Sequence, residues 1–337
     1  MALNKIQHVV PELLVLATLF ASSGARAQLR PGSMDVRWDE GASKCVTSSQ
    51  PLLQVHSYND RTFIFRENLC ATFEAPFMYL LVGSEKALLI DTGDVGDPSK
   101  MPFANTVMRF LPGEGSAKMR LLVVHTHRHG DHRAGDEQFT HFPNAQVVGF
   151  DSDSVRRFYH FTNWPTGLAQ IDLGDRTVDA MPTPGHNETE VSFYDRNTGL
   201  FFSGDFLMPG RLLIDDASAE LASAQRVAAF IRNRPVSFVL GGHIEVDAKG
   251  NLFPWESQFH PHEHVLQMNQ DDLLALPAAI RSFNGFYSKR GNFIMMNSIH
   301  LLIAEAALVL VAVLALVWGL VRYVRRRKLA HRVQSEI

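Results

Sequence analysis

Residues 121–132 read Leu-Leu-Val-Val-His-Thr-His-Arg-His-Gly-Asp-His. The apolar run Leu121–Val124 predicts a buried strand, and four histidines and one aspartate follow where that strand ends. Imidazole and carboxylate groups are ligands that zinc and similar ions prefer, and packing alone does not explain so many of them at a strand end. The H-x-H-x-D-H spacing therefore predicts a metal site, whose candidate ligands are His127, His129, Asp131 and His132.

Three later segments repeat this arrangement, with a polar side chain beside glycine at the end of an apolar run. His186 ends Thr-Pro-Gly-His, Asp205 ends Phe-Phe-Ser-Gly-Asp, and His243 ends Gly-Gly-His. The glycines allow sharp turns and close backbone approach. Together with the first four, these three side chains could hold two metal ions, with one carboxylate between them.

In this order the motifs resemble those of the metallo-β-lactamase-fold hydrolases. The pattern of that family is H-x-H-x-D-H, then histidine in T-P-G-H, aspartate after glycine, and a final histidine. An Asp-Thr-Gly segment at residues 91–93 also matches, and the resemblance covers about residues 70–245. It implies an α+β fold, a four-layer αββα sandwich. Early hairpins followed by alternating helices and strands, with helices predicted over residues 99–111 and 217–231, agree with a mixed, layered domain.

The resemblance also implies a role for each ligand. His127, His129 and His186 would bind a first ion, Asp131, His132 and His243 a second, and Asp205 would bridge them. Two Zn²⁺ ions suit these ligands, although manganese or iron would also be bound. Asp91 and Thr126 are candidates to hold ligand imidazoles in one tautomer, the alternative being simple capping of strand ends. His125 lies outside the pattern and is interpreted as a packed or supporting histidine.

The implied mechanism is attack by a hydroxide held between the two ions, which also stabilise the developing charge. Asp131 is the predicted catalytic residue, because it binds the second ion and can orient the nucleophile. No serine or cysteine nucleophile is required. The chain has neither a G-x-G-x-x-G nor a Walker pattern, so we expect no nucleotide cofactor.

The composition of the chain excludes some classes of binding partner. The 337 residues carry a formal net charge of −3, which gives no basic surface for nucleic acid. The two cysteines, Cys45 and Cys70, are too few for a thiolate zinc site, and their spacing leaves open whether they form a disulfide. We expect a small-molecule substrate, and the oligomeric state stays open.

Both ends of the chain indicate export to a membrane. Residues 1–27 have the pattern of a signal peptide with an Ala-Arg-Ala cleavage site, the alternative being an uncleaved anchor. Residues 299–324 predict a transmembrane helix, and the basic tail 325–337 predicts a cytoplasmic C-terminus. The alternative for 299–324 is a buried core helix. The catalytic body would then face the periplasm or the extracellular side.

Between these ends we expect an N-terminal segment (28–70), the metal-binding domain (71–250) and an extension of that domain (251–298). The extension contains His260, His262 and His264, which could line the pocket mouth, form a third metal site or lie on the surface. A closing helix and an aromatic stretch are predicted over residues 272–290, with core packing favoured over contact with a membrane.

The motifs predict the fold and the metal site but do not identify the substrate, because proteins of one fold catalyse many reactions. Asp205 resembles the ligand of the glyoxalase II, lactonase and phosphodiesterase branches, whereas zinc β-lactamases commonly differ at that position. The leading hypothesis is therefore a membrane-anchored hydrolase of a small ester, lactone or thioester. A β-lactam hydrolase is one alternative. A non-hydrolytic metal-binding membrane protein, or an iron-dependent sulfur-oxidising enzyme, is another.

Overall fold

The computed structural model describes residues 29–335, so the predicted signal peptide lies outside the described residues. The strands are β1 (Leu53–Asn59), β2 (Thr62–Glu67), β3 (Phe77–Val82), β4 (Lys86–Ile90), β5 (Arg120–Val124), β6 (Ala145–Val147), β7 (Ala169–Asp172), β8 (Thr177–Pro182), β9 (Val191–Asp195), β10 (Leu200–Gly204), β11 (Arg211–Leu213), β12 (Phe238–Gly241), β13 (Gln267–Met268), β14 (Tyr287–Arg290) and β15 (Phe293–Met296). The α-helices are α1 (Phe103–Met108), α2 (Asp136–Phe139), α3 (Ser152–Tyr159), α4 (Ala217–Ile231), α5 (Gln270–Arg281) and α6 (Ser298–Ser335).

Two six-stranded sheets pack face to face between helices. Their strand orders are β1-β2-β3-β4-β5-β6 and β13-β12-β10-β9-β8-β7. One apolar core fills the space between the sheets, a second lies between the first sheet and α1 and α2, and a third lies between the second sheet and α4 and α5. This arrangement confirms the four-layer αββα sandwich.

Burial on both faces explains why the central strands are almost continuously apolar. All six residues of β3 are buried: Tyr79 and Leu81 belong to the core between the sheets, while Met78 and Leu80 pack under α1. A strand covered on both sides has no solvent face on which polar residues would alternate.

Parallel pairing places the polar strand ends at one edge of the sandwich. β4 and β5 run parallel with Ile90 opposite Val124, so Asp91 and the histidine-rich loop leave the first sheet together. In the second sheet, Gly204 of β10 lies opposite Gly241 of β12, next to Asp205 and close to His243. Segments far apart in the chain therefore converge at this edge.

The sequence-based assignment of a helix over residues 99–111 is too long. The observed α1 begins at Phe103 because the preceding residues form a turn, in which the Asp97 carboxylate accepts hydrogen bonds from the Ser99 amide and hydroxyl. The β7–β8 hairpin was not predicted, although its strands pair in regular antiparallel register. Helix α4 has the predicted bounds, and the Asp216 side chain caps its first turn.

Two further features concern the N-terminal segment and the aromatic stretch. Cys45 and Cys70 form a disulfide, which settles a question that spacing alone left open. The packing interpretation of the aromatic stretch is wrong for Phe286 and Tyr287, which are 46% and 45% exposed.

Helix α6 extends from a small third sheet of order β11-β15-β14. Residues Ser298–Arg325 are long and apolar enough to cross a membrane, with a mean hydropathy of 2.7. None of this apolar window is buried against the rest of the described chain, so the helix does not pack as a core helix.

Candidate metal centre

The first group of side chains comprises His127, His129 and His186. His129 Nδ1 lies 2.9 Å from His127 Nε2 and 3.1 Å from His186 Nε2. Around a tetrahedral zinc ion with Zn–N bonds near 2.05 Å, neighbouring ligand atoms are about 3.3 Å apart. The three nitrogens are therefore spaced as ligands of one ion.

The second group comprises Asp131, His132 and His243. Asp131 Oδ2 lies 3.4 Å from His132 Nε2 and 3.3 Å from His243 Nε2, and the two nitrogens are 3.2 Å apart. These atoms also have the spacing of ligands around one ion.

Asp205 lies between the two groups. Its Oδ2 is 3.6 Å from His186 Nε2, whereas its Oδ1 is 3.5 Å from His132 Nε2 and 3.7 Å from His243 Nε2. Oδ1 is buried and has no hydrogen-bond partner. A carboxylate with one oxygen facing each group is suited to bridge two ions.

In His186, His243 and His132, one ring nitrogen faces away from the centre, and its hydrogen-bond partner determines which nitrogen carries the proton. His186 Nδ1 donates to the Leu213 carbonyl (2.8 Å) and His243 Nδ1 to the Glu74 carbonyl (2.7 Å), because a carbonyl can only accept. In the neutral rings, both Nε2 atoms then present lone pairs to the centre. Clustered lone pairs repel one another unless a cation lies between them, so the donor set fits metal ions.

Asp91 contacts the third ring, that of His132, at the nitrogen that faces away from the centre. Its Oδ2 accepts from His132 Nδ1 at 2.9 Å and from the Thr126 hydroxyl at 2.8 Å, and its Oδ1 accepts from the Thr126 amide at 2.7 Å. Asp91 has a φ of 65°, a conformation that aspartate tolerates better than most residues. Asp91 and Thr126 thus lie where they can orient His132.

The electrostatics of the cluster favour positive charge at its centre. Burial lowers the pKa of His243, but Asp205 and Asp131 outweigh burial and raise it to about 10. Burial raises the pKa of Asp205, but His243 and His132 hold it below its usual range. Burial and the neighbouring His132 lower the pKa of His127 well below its usual value.

Gly242 leaves room for this centre. A Cβ atom at this position would lie 2.8 Å from the His132 ring and would also collide with Asp205 Oδ1. Both contacts are with groups held in place by the cluster, so any larger residue would displace a ligand.

Sequence reasoning missed two residues that contact the ligands. The Asn187 amide nitrogen lies 3.1 Å from His129 Nε2, and only its position directly after His186 could have suggested it. Glu74 provides the carbonyl that holds His243. Burial raises the pKa of the Glu74 side chain to about 7, and no motif marks this residue.

The remaining candidate histidines lie outside the three potential ligand groups found among the described residues. His125 is buried and pairs with Asp136 at 2.8 Å. His260 contacts Glu263 at 3.0 Å, whereas His264 Nδ1 contacts the carbonyl of Val265. His260 lines a small cleft that Glu74 also lines.

Comparison with known sequences identifies the family. The profile of the metallo-beta-lactamase superfamily matches residues 71–243, which is half of the chain. The chain belongs to this superfamily, and the resemblance predicted from its motifs is confirmed. It is a metallo-β-lactamase-fold hydrolase, and the fold implies a divalent metal.

Two curated relatives are hydrolases of thioesters by name. Acyl-coenzyme A thioesterase MBLAC2 of Homo sapiens is 26% identical over 238 residues, covering 60% of this chain and 85% of that protein. Hydroxyacylglutathione hydrolase of Methylobacillus flagellatus is 27% identical over 217 residues, covering 61% and 76%. Among solved structures, the metallo-beta-lactamase from Pontibacter korlensis covers 68% of this chain and all of its own, with 16% identity and a TM-score of 0.47.

Proposed function

We propose that this protein is a membrane-anchored, zinc-dependent hydrolase of thioesters. The observation that carries the proposal is Asp205, whose two oxygens face two separate groups of ligand atoms. Both curated relatives described above act on thioesters by name, which favours this class over simple esters and lactones.

We assign His127, His129 and His186 to one Zn²⁺ and Asp131, His132 and His243 to the other, with Asp205 shared. When bound, the two cations would lower the pKa of a water molecule and polarise a carbonyl group. The remaining chemistry belongs to the protein's own side chains.

Asp131 is best placed to handle the proton of the attacking water. Its side chain is 20% exposed, whereas that of Asp205 is 11% exposed. A partly exposed carboxylate can accept a hydrogen bond from a water molecule and orient it, whereas the more deeply buried Asp205 is suited to holding the metal ions.

Membrane anchoring is supported by the exposed apolar surface of Ser298–Arg325. In the sequence, Arg325 ends this segment and Arg326, Arg327 and Lys328 follow it, which favours a cytoplasmic C-terminus. The Cys45–Cys70 disulfide favours an oxidising compartment for the body, so we place it on the periplasmic or extracellular side.

The test uses the purified full-length protein in detergent, with metal content measured by elemental analysis and thioester hydrolysis measured by thiol release. We expect about two zinc ions per chain. Asp205→Asn should lower hydrolysis roughly 100-fold or more and reduce the metal content. Asp215→Asn is the control, because Asp215 is exposed and close in sequence to β11 but outside the ligand set.

Other results would reject the proposal. Full activity in Asp205→Asn or after removal of metal by a chelator would exclude the metal-dependent mechanism. Turnover of a chromogenic cephalosporin without thioester hydrolysis would favour a β-lactam hydrolase. Iron in place of zinc, together with oxidation of a thiol, would favour the sulfur-oxidising alternative.

A further inference from the structure

The candidate membrane helix joins the body without a flexible linker. Only Asn297 separates β15 from α6, and its side chain bonds in both directions. Its Nδ2 donates to the Ile214 carbonyl at 2.8 Å, and its Oδ1 accepts from the His300 amide at 2.9 Å. The first turn of α6 is therefore fixed to the body.

The strand that leads into α6 is also connected to a candidate metal ligand. β15 pairs in parallel with β11, and Met296 lies opposite Leu213. The Leu213 carbonyl accepts the hydrogen bond from His186 Nδ1. With neighbouring strands about 4.8 Å apart and about 3.5 Å per residue along the chain, His186 lies within roughly 15 Å of the start of α6.

Two exposed aromatic side chains flank the same helix turn. The Phe286 ring lies 5.7 Å from the His300 ring, and the Phe286 carbonyl accepts from the Asn297 amide at 3.2 Å. Tyr287 lies opposite Met296 in the β14–β15 pair. Ile299 and Leu302 in the first turns of α6 are 60% and 67% exposed, so an apolar surface continues from the helix onto the body.

We propose that Phe286, Tyr287 and the first turn of α6 form a membrane ledge that rests in the lipid headgroup layer. Aromatic side chains favour this layer, which is about 6 Å thick on each side of the hydrocarbon core. The ledge holds the metal centre at a fixed, short distance from the bilayer. The enzyme therefore acts on long-chain acyl thioesters that partition into the membrane. This inference rests on the anchor and the thioesterase activity proposed above.

The position of the ledge can be measured independently of activity. Full-length Phe286→Cys protein is labelled with a nitroxide and reconstituted in phosphatidylcholine–phosphatidylglycerol nanodiscs. The native cysteines are paired, so only the new thiol reacts. Leu168→Cys is the matched control, because Leu168 is 47% exposed and precedes β7 at an edge of the second sheet.

We expect the label at 286 to be more accessible to oxygen and less accessible to a water-soluble nickel complex than the label at 168. Equal accessibility to nickel at both positions, with the protein retained in the nanodiscs, overturns the ledge. Failure of the protein to enter the nanodiscs overturns the anchor itself. Shielding of position 286 from both reagents indicates a protein partner on this surface and also overturns the ledge.

The substrate class is tested with acyl thioesters of four and sixteen carbons. Hydrolysis of the sixteen-carbon substrate should follow its mole fraction in the membrane, and should fall roughly tenfold in Phe286→Asp/Tyr287→Asp. Hydrolysis of the four-carbon substrate should be unchanged, which also shows that the variant is folded. Equal rates for the two substrates in both proteins overturn the inference but leave the thioesterase activity intact. Hydrolysis of neither substrate rejects the proposed function itself.

Discussion

Replacement of Asp91 by asparagine is the sharpest test of how the second group of ligands is oriented. Asp91 accepts from the Thr126 amide through Oδ1 and from His132 Nδ1 through Oδ2. Asparagine has the same shape but only one acceptor oxygen. If that oxygen faces Thr126, the amide NH₂ faces His132 Nδ1. The His132 ring can then avoid a clash only by moving its proton to Nε2, the atom that faces the metal site.

The expected loss follows from this change of tautomer. Removal of a buried group that orients a metal ligand typically lowers metal affinity 10–100-fold, which corresponds to about 1.4–2.7 kcal/mol. The affinity should decrease for the ion held by Asp131, His132 and His243. The ion held by His127, His129 and His186 should lose less affinity, since Asp91 is connected to these rings only through the Thr126 hydroxyl, which lies 3.2 Å from His127 Nδ1.

The assay is competition between the protein and a chromophoric zinc chelator, analysed for two sites. Asp195→Asn is the control: Asp195 is also fully buried, and it pairs with Arg176 at 2.8 Å, away from the ligands. Thermal unfolding of both variants shows how much each is destabilised. If Asp91→Asn binds both ions as the natural protein does, the assigned role of Asp91 is wrong. If both variants lose both ions equally, the effect is general destabilisation.

Three further predictions concern charge, protons and covalent structure. Burial raises the pKa of Glu67 to about 8, so the folded state holds a proton that the unfolded state loses near pH 4.5. The stability of the natural protein should therefore fall relative to Glu67→Gln as the pH rises from 5 to 8, by about 3 kcal/mol in denaturant titrations, and a constant difference would contradict this. Because the pKa of His243 is about 10, zinc must displace its proton, so calorimetry at pH 7 in buffers of different ionisation enthalpy should show proton release on binding. Replacing both Cys45 and Cys70 by serine should lower the unfolding free energy by about 3 kcal/mol, as expected for a closed loop with a sequence separation of 25, while metal content stays the same.

The convergence of the seven candidate ligands could be predicted because each lies in a short local pattern at the end of an apolar strand. The seven predicted side chains do lie together, since parallel pairing brings the ends of β5, β10 and β12 to one edge. Helix α4 was also predictable, because its apolar residues recur on one face and Pro235 follows its end.

Other parts depend on contacts that a single stretch of sequence does not show. Whether Cys45 meets Cys70 depends on the path of the chain between them. The exposure of Phe286 could not be inferred, since aromatic residues close together beside a short strand are equally typical of a packed core. Helix α1 is shorter than predicted because the Asp97 turn competes with the helical conformation.

The groups that orient His186 and His243 are the least visible in sequence, because both are backbone carbonyls. Any residue at position 74 or 213 provides the same acceptor, so side-chain substitution there should matter less than movement of the strand itself. Leu213 lies in β11, which is hydrogen-bonded to the strand that leads into α6. The first turn of α6 is therefore linked to the His186 ring through two hydrogen-bonded strands.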